Sequence, residues 1–590
     1  MPMYRSDQRS FLDLQREELL REREGTLVWL LVRFGDTVLP GWLTRGWRRG
    51  EGRRGRKAWP IRTLLALVVL RWSDEGMSRV GACRRAETDS LWRYAMRLPV
   101  EGKTPTEKTL REVEAWLQED DEDSGMTRVE ALFEHVVHVA LWSAAARRRE
   151  APKWFMDSTP MWCFGAILDT VRLLGDGLRR LGRAWARATE RPLGAVAIAW
   201  KLPMLLAKST KGWLRIDWSD ADARSKAITD VVEDVMRVVK EVQAALVTVE
   251  GSDRRRVGEL CELLLRVVAQ DLEKDGKGRW RVARRVARNR MVSLTDPEAG
   301  HGHKSRSESF WGYKINVLGD LVSGVVAAVS VTPGNGHDAA PGHELVVEAQ
   351  RMRLEIRKVL ADTAYGGVES RLGLKALGVD LVAPPPGTTR KGKKHSKNEF
   401  AIDFVAQTAT CPNGVTSDRA ERTAGKEPKL AFRWSKEACA GCPLRARCLR
   451  ASTAKPGEKR TGRPPQGKRL VVALREQELR EARTAWDDPT RREEYRDRSM
   501  GERLNALLVQ HGARRARLRG RKGANLQAQL IGITLNLGVV ARNVAEAEAE
   551  EKARRAQQPR RHRVVRQAAR MERVERVAAR RDAARQLALA

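Results

Sequence analysis

The chain has 590 residues, of which 42% are hydrophobic, and this length favours about three or four structural units with a sizeable core. The formal net charge of +35 favours a polyanionic partner, with nucleic acid first and a membrane surface second. A charged N-terminus argues against a secretory signal, and no apolar run approaches the roughly 20 residues that span a bilayer. Seven cysteines in so long a chain argue against a disulfide framework. We therefore expect a cytoplasmic protein.

Residues 1–150 are predicted to form a helical N-terminal domain. Pro60–Trp72 is an apolar run, and Thr104-Pro105-Thr106-Glu107 has the pattern of a capping box at the start of a helix that reaches Gln118. The segment Gly46–Arg56 is basic and rich in glycine. We expect this domain to bind DNA or form a dimer contact, and a solvated helical bundle is the alternative.

The pattern changes at Lys153, where KWFMDSTPM is apolar on both sides of Asp157 and predicts a strand within residues 151–165. Long helical patterns without internal proline follow over residues 166–290. The sequence therefore predicts a helical insertion after the first strand of a catalytic core.

Residues 291–410 contain the remaining strand signals. Phe310–Asp320 and Val322–Gly334 are separated by a short turn and predict a hairpin. A helix, the strand Ile356–Ala361, a second helix and the strand Val379–Pro385 come next. This order predicts a mixed α/β sheet.

The C-terminal third is predicted to contain three units. Residues 411–450 carry four cysteines, residues 451–545 contain helices at Leu470–Ala485, Arg492–His511 and Leu526–Arg542, and residues 546–590 form a basic tail. The tail either touches phosphate or is solvated.

Two aspartates occupy positions typical of a metal site. Asp157 lies within the first strand and Asp362 follows the strand after the hairpin, and α/β sheets bind ligands at strand ends. Two converging carboxylates repel each other unless a cation lies between them. Two Mg²⁺ ions about 3.5–4 Å apart would suit phosphodiester chemistry. Glu502, four residues after Arg498 and seven after Tyr495, is a candidate third ligand, although helical spacing alone favours an exposed ion pair.

Several motifs together resemble the DDE transposases of bacterial insertion sequences, in the branch with a Tyr-x2-Arg-x3-Glu signature. FMDSTP resembles the first-aspartate strand of that family, and VLADTAYGG resembles its second. SLTDPEAGHGHKSRSESFWGYKINV resembles the approach to its hairpin, and CAGCPLRARC resembles a cysteine segment found in one subgroup. Tyr495, Arg498 and Glu502 match the signature itself.

The resemblance implies an α/β fold with a ribonuclease H-like mixed-sheet core. It also implies that Asp157, Asp362 and Glu502 bind two Mg²⁺ or Mn²⁺ ions, with Tyr495 and Arg498 in support. The implied activity is cleavage of double-stranded DNA at element ends and strand transfer into target DNA, by a homodimer. Val509 replaces the basic residue that the family often has seven positions after the glutamate, and Gly501 replaces an apolar one. The alternatives are a nuclease without strand transfer and a catalytically decayed repressor or architectural protein.

Two further groups of residues are candidate binding sites. The cysteines fit either a structural Zn²⁺ or a reduced thiol cluster; they are Cys411, Cys439, Cys442 and Cys448. Polar residues before the hairpin and after the glutamate are predicted to contact DNA; they are His301, His303, Lys304, Arg306, Lys314, Arg514 and Arg515. Asp296 is a rival acidic ligand, although its Thr-Asp-Pro setting indicates a turn.

Overall fold

A computed structural model describes residues 11–44, 47, 58–121, 125–147, 150–285, 287, 289–304, 307–337, 339–387, 395–417, 419–423, 428–449 and 467–588. Most of the basic loop at 46–56 and the predicted DNA contact Arg306 lie outside these residues.

The described part of the N-terminal region contains seven helices, and side-chain caps fix several of their starts. Thr127 and Glu130 form a complete capping box, and Thr106 rather than Thr104 caps the helix that begins at Glu107. The helices are α1 Phe11–Arg21, α2 Leu27–Val38, α3 Ile61–Trp72, α4 Arg79–Thr88, α5 Ser90–Ala95, α6 Glu107–Leu117 and α7 Arg128–Ala145.

The strand β1 (Trp154–Trp162) follows, as the sequence predicts, and five helices separate it from the rest of its sheet. These helices share a core of their own, closed by a two-stranded ribbon. The elements are α8 Thr170–Ala188, α9 Leu193–Ala199, α10 Thr210–Leu214, α11 Ala221–Ala245, α12 Gly251–Asp271, β2 Leu272–Lys274 and β3 Trp280–Val282.

The main sheet contains β1 and five later strands. These strands and the helices between them are β4 Gly300–His303, β5 Ser309–Asp320, β6 Val326–Pro333, α13 Ala339–Arg351, β7 Lys358–Ala361, α14 Val368–Ala376 and β8 Asp380–Val382. On one side of β1, β5 pairs antiparallel with it and also with β4 and β6. On the other side, β7 pairs parallel with β1, and β8 pairs parallel with β7. The prediction of a mixed α/β chain is confirmed.

Within its described residues, the C-terminal part adds small sheets and six helices. The elements are β9 Ala401–Asp403, β10 Thr408–Thr410, β11 Arg419–Thr423, β12 Lys429–Arg433, α15 Lys436–Ala440, α16 Arg445–Cys448, β13 Arg469–Ala473, α17 Glu476–Trp486, α18 Pro489–Arg496, α19 Gly501–Leu508 and α20 Gly520–Ala588. A 3₁₀ turn at Asp497–Met500 precedes α19, and a π turn at Val509–Ala513 follows it.

The prediction of one helix over Leu470–Ala485 is wrong in its first part. Residues Arg469–Ala473 form β13, which pairs antiparallel with β12. Leu470 and Val472 are buried while their neighbours face outward, which is the period-two pattern of a half-buried strand. Five residues are too few to distinguish this alternation from a helical pattern.

Helix α20 passes through the protein core. Its segment Gly520–Ala556 contains an 18-residue window that is apolar enough to cross a membrane, but 89% of that window is buried inside the protein. The buried Asn536 amide accepts a bond from the Val326 backbone N–H and donates one to its carbonyl, at 2.8 and 2.9 Å. These bonds join α20 to β6. The apolar surface of α20 is therefore covered by the rest of the protein.

A buried ion cluster holds the N-terminal helices together. The Glu114 carboxylate on α6 accepts hydrogen bonds from Arg71 on α3 and from Arg79 on α4, the latter at 2.8 Å. Only 3% of the Glu114 side chain is exposed and 2% of Arg71. Breaking such a cluster leaves an uncompensated buried charge.

We expect Glu114→Ala to lower the free energy of local unfolding of α3 and α6 by about 3–5 kcal/mol, because two guanidinium groups lose their counter-charge. Hydrogen–deuterium exchange of the α3 amides measures this change. The control Glu107→Ala breaks an exposed pair with Arg111 on the same helix and leaves exchange nearly unchanged. Equal effects of the two substitutions would contradict the assignment.

Candidate active site

Two aspartates lie side by side at the middle of the main sheet. The last paired residues of β1 and β7 are Met156 and Ala361, and Asp157 and Asp362 come directly after them. Because neighbouring residues in parallel strands point to the same face, both carboxylates lie on one side of the sheet. Their mutual repulsion is one of the causes that raise the pKa of Asp157.

The carboxylate of Asp157 is largely buried and held by three donors. Its side chain is 13% exposed. Oδ2 accepts from Arg498 Nη2 at 3.1 Å and from Asn505 Nδ2 at 3.0 Å, and Oδ1 accepts from the Ser158 backbone N–H at 2.8 Å. Burial raises the pKa of Asp157, while Arg498 and these hydrogen bonds oppose the rise.

Helix α18 and the following turn bring Arg498 to Asp157. Two ion pairs anchor this segment: Lys153 Nζ lies 2.9 Å from Asp497 Oδ2, and Lys358 Nζ lies 2.6 Å from Glu494 Oε1. Lys153 directly precedes β1, and Lys358 is the first residue of β7. The segment is thereby fixed across the sheet beside the aspartates.

Tyr495 also lies beside the aspartates. Its ring packs edge-on against Trp486 at a centroid distance of 5.1 Å. Burial raises the pKa of Tyr495, and the nearby charges of Arg498, Asp362 and Asp157 also act on it. The structure therefore brings together four of the predicted site residues: Asp157, Asp362, Tyr495 and Arg498.

Glu502 lies on α19 but does not join the two aspartates. It falls between Arg498 and Asn505 in the chain, and its side chain is exposed. It shares a helix face with Asn505, three residues later. Among the described residues, no group of three or more His, Cys, Asp or Glu side chains is arranged to hold a metal ion.

Gly501 explains how closely α19 lies on β1. A Cβ atom at this position would stand 2.6 Å from the ring of Phe155, which is fully buried. Its backbone is helical, with φ of −65°, so the glycine is needed for close approach rather than for an unusual conformation. Glycine at this helical position costs about 1 kcal/mol of helix propensity. It allows α19 to approach β1 closely enough for Asn505 to contact Asp157.

The predicted DNA contacts Arg514 and Arg515 lie at the end of β1. The Trp162 backbone N–H donates to the Arg514 carbonyl at 2.9 Å, and the Ala516 N–H donates to the Trp162 carbonyl at 2.8 Å. These bonds leave the Arg514 and Arg515 side chains exposed. They are available to an anionic partner beside the sheet.

The histidine cluster is found at the start of the hairpin. The His301 ring lies on Trp311 at a centroid distance of 4.1 Å and touches the His303 ring at 4.6 Å. Lys304 is exposed and forms an ion pair with Glu308 at 3.5 Å. Lys314 Nζ donates to the Gly336 carbonyl at 3.1 Å, so one of its donors is committed to the backbone.

Asp296 has a structural role that removes it as a rival ligand. It is fully buried and accepts hydrogen bonds from the Tyr313 hydroxyl and the Phe164 backbone N–H. Burial, and then this bond, raise the pKa of Tyr313. The carboxylate of Asp296 in the Thr-Asp-Pro turn is therefore used to anchor Tyr313 of β5.

The four predicted cysteines line one small cavity together with Phe400 and Trp434. All four thiols are free. The Lys468 backbone N–H donates to Cys439 Sγ at 3.4 Å. Burial raises the pKa of Cys448, and the other three cysteines add to the rise while Lys468 opposes it.

Asn505 is a residue of the site that the sequence did not predict. Its only sequence signal is its position three residues after Glu502, on the same helix face. A polar residue at this spacing is common on a solvated helix. Only the packing of α19 on β1 shows that it contacts Asp157.

Comparison with protein families gives one match. Residues 410–541 match the family described as transposase DDE domain. A search of curated proteins and a search of solved structures each gave no match. The matched region includes the cysteine segment, Glu502 and Asn505. It begins after Asp362 in the chain, so neither Asp157 nor Asp362 lies within it. The match supports a relation to DDE transposases and a transposase function in general.

We expect Gly501→Ala to be destabilising even though alanine favours helices. Overpacking against Phe155 costs about 1–3 kcal/mol, against a gain of about 1 kcal/mol in helix propensity. Phe155→Leu should relieve the clash, so the double variant should be more stable than the sum of the two single effects. Thermal unfolding of the four proteins measures this coupling, and strict additivity would contradict the contact.

Proposed function

We propose that the protein is a metal-dependent DDE transposase that cuts double-stranded DNA at the ends of its element and joins them to target DNA. The observation that carries the proposal is the adjacency of Asp157 and Asp362 on parallel strands, beneath a helix from the region that matches the transposase family. Two neighbouring acids, of which Asp157 is largely buried, beside an arginine form an arrangement that suits phosphoryl-transfer chemistry.

The proposed core is ribonuclease H-like. Its support is the strand arrangement, in which β1 lies between an antiparallel pair and a parallel pair of strands. The proposed units remain those predicted from the sequence, with a helical N-terminal domain for DNA binding or dimerisation and a helical insertion.

The donor chemistry at the two aspartates fits Mg²⁺ or Mn²⁺. Both ligands are carboxylate oxygens, and their repulsion together with the burial of Asp157 disfavours two negative charges without a cation. Asp157 and Asp362 would hold the ions. Glu502 does not group with them in this structure, and it is proposed as the third ligand because it lies in the chain between Arg498 and Asn505, the two residues that contact Asp157. When bound, two such ions activate an attacking oxygen and stabilise the leaving one.

The chain's own residues would position the DNA and orient the acids. Arg498 and Asn505 fix the Asp157 carboxylate, and Arg498 supplies positive charge at the same oxygen. The exposed Arg514 and Arg515 would bind backbone phosphate, as would His301, His303, Lys304, Arg306 and Lys314. The net charge of +35 supports a DNA partner. We also propose that the protein acts in the cytoplasm and as a homodimer.

Asp362→Asn should lower DNA cleavage by at least about 1,000-fold, because it removes a charged ligand where several kcal/mol of transition-state stabilisation arise. DNA binding should persist, since no positive charge is lost. The assay uses labelled DNA from the sequence flanking the protein's own gene, with Mg²⁺, and scores both nicks and joined products.

Asp222→Asn is the matched control, because its carboxylate is 84% exposed on the insertion helix α11. Cleavage without joined products would favour a nuclease. Binding without cleavage by the wild-type protein would favour a decayed, regulatory protein. Cleavage that survives Asp362→Asn would refute the assigned site.

We propose a structural Zn²⁺ in the cysteine segment. Four thiols line one cavity, although they are not grouped around a single metal position in this structure, and a backbone N–H already donates to Cys439 Sγ. Thiolates are the donors that structural Zn²⁺ prefers. The ion would join the segments that carry Cys411, Cys439, Cys442 and Cys448.

Purified wild-type protein should contain about one zinc per chain, and Cys442→Ser should lose most of it. Elemental analysis by mass spectrometry measures the metal directly. Cys261→Ser is the control, because Cys261 is buried in α12, within the separate core of the insertion. Wild-type protein purified without zinc would show that the thiols are a reduced cluster.

A further inference from the structure

Asn505 contacts the central carboxylate of the site directly. Its Nδ2 donates to Asp157 Oδ2 at 3.0 Å. An ionised carboxylate can only accept hydrogen bonds, so the NH₂ end of the amide must face Asp157. The orientation of the whole side chain is thereby fixed.

The other end of the same amide is a buried acceptor. Asn505 Oδ1 is buried and has no hydrogen-bond partner within the described part of the chain. Arg498 contacts Asp157 through Nη2, and its Nε is a buried donor that also has no partner within the described residues. Buried polar atoms of folded proteins nearly always have partners. Two such atoms beside one carboxylate indicate a place where a polar ligand binds.

Packing alone does not require an asparagine here. Leu504 and Leu508 supply the buried apolar contacts of α19, and Gly501 sets its distance from β1. A leucine at 505 would fill a similar volume without an unsatisfied acceptor. Two functions account for an amide at this position: its Nδ2 donates a hydrogen bond to Asp157, and its Oδ1 is free to accept one from a ligand.

We propose that Asn505 is a positioning residue of the metal centre. Its Nδ2 fixes the Asp157 carboxylate, and its Oδ1 accepts a hydrogen bond from a water molecule of the hydrated divalent cation held by Asp157 and Asp362. Mg²⁺ and Mn²⁺ keep bound waters in such sites, and outer-shell partners tune their affinity. This inference rests on the proposed function and adds a residue to it.

Mn²⁺ titration of the full-length protein by calorimetry tests the proposal without relying on activity. Asn505→Leu should weaken Mn²⁺ binding by at least about tenfold. Asn505→Asp keeps an oxygen and adds a negative charge, so it should bind Mn²⁺ more tightly than the wild type. The same variant should unfold at a lower temperature without metal, because two carboxylates then face each other.

A purely structural residue would behave differently. Both substitutions would then lower the unfolding temperature while the Mn²⁺ dissociation constant stayed unchanged, and that result would overturn the proposal. If Asn505→Leu does not fold, Asn505→Asp decides alone, because unchanged or weaker Mn²⁺ binding by this variant would also overturn the proposal. Asn543→Leu is the matched control, since it removes an amide that donates to Ser143 Oγ at 3.1 Å on α7.

Asp362→Ala separates this inference from the proposed function. If Asp362→Ala abolishes Mn²⁺ binding and Asn505→Leu leaves it intact, the role of Asn505 is wrong and the metal centre stands. If the wild type does not bind Mn²⁺, or Asp362→Ala binds it equally well, the metal centre itself is refuted and the role of Asn505 with it.

Discussion

A carboxylate in the interior of a sheet must be compensated, and the compensation of Asp157 determines how the C-terminal helices pack. An isolated buried charge is unfavourable by many kcal/mol, so partners have to be supplied from another element. Arg498 and Asn505 provide them from positions 341 and 348 residues further along the chain. The contact needs α19 to lie almost on the backbone of β1, and Gly501 against Phe155 makes that approach sterically allowed.

The surroundings of α19 hold it in that place. Its N-terminal side is fixed by the ion pairs of Lys153 and Lys358 with the preceding segment. On its C-terminal side, the buried Gln527 side chain donates to the carbonyls of Gly512 and Arg515 and ties the following turn to α20. The same turn meets the N-terminal helices, where His511 Nδ1 contacts the Trp72 carbonyl at 2.7 Å. The N-terminal helices, the sheet and the C-terminal helices are thus linked through the turns around α19.

This linkage connects the region that matches the transposase family to the two aspartates, which lie outside that region. The matched region, residues 410–541, contains Glu502 and Asn505 but neither aspartate. The pairing of β1 with β7 brings the aspartates together, and the packing of α19 brings them to the matched region. The two halves of the proposed site therefore belong to one structure although only one of them is identified by the comparison.

Local sequence patterns were sufficient to predict the elements with strong periodicity. The strand around Asp157, the hairpin, the strand before Asp362 and the long helices that follow β1 could be predicted, because apolar periodicity and turn residues specify them locally. The short strand β13 was misassigned, since five residues do not distinguish the two periods. Only the tertiary structure decided that Asp296 is buried against Tyr313, that Gly501 permits a close contact, and that Asn505 reaches Asp157. These facts depend on contacts between residues far apart in the chain, and local spacing carries no information about such contacts.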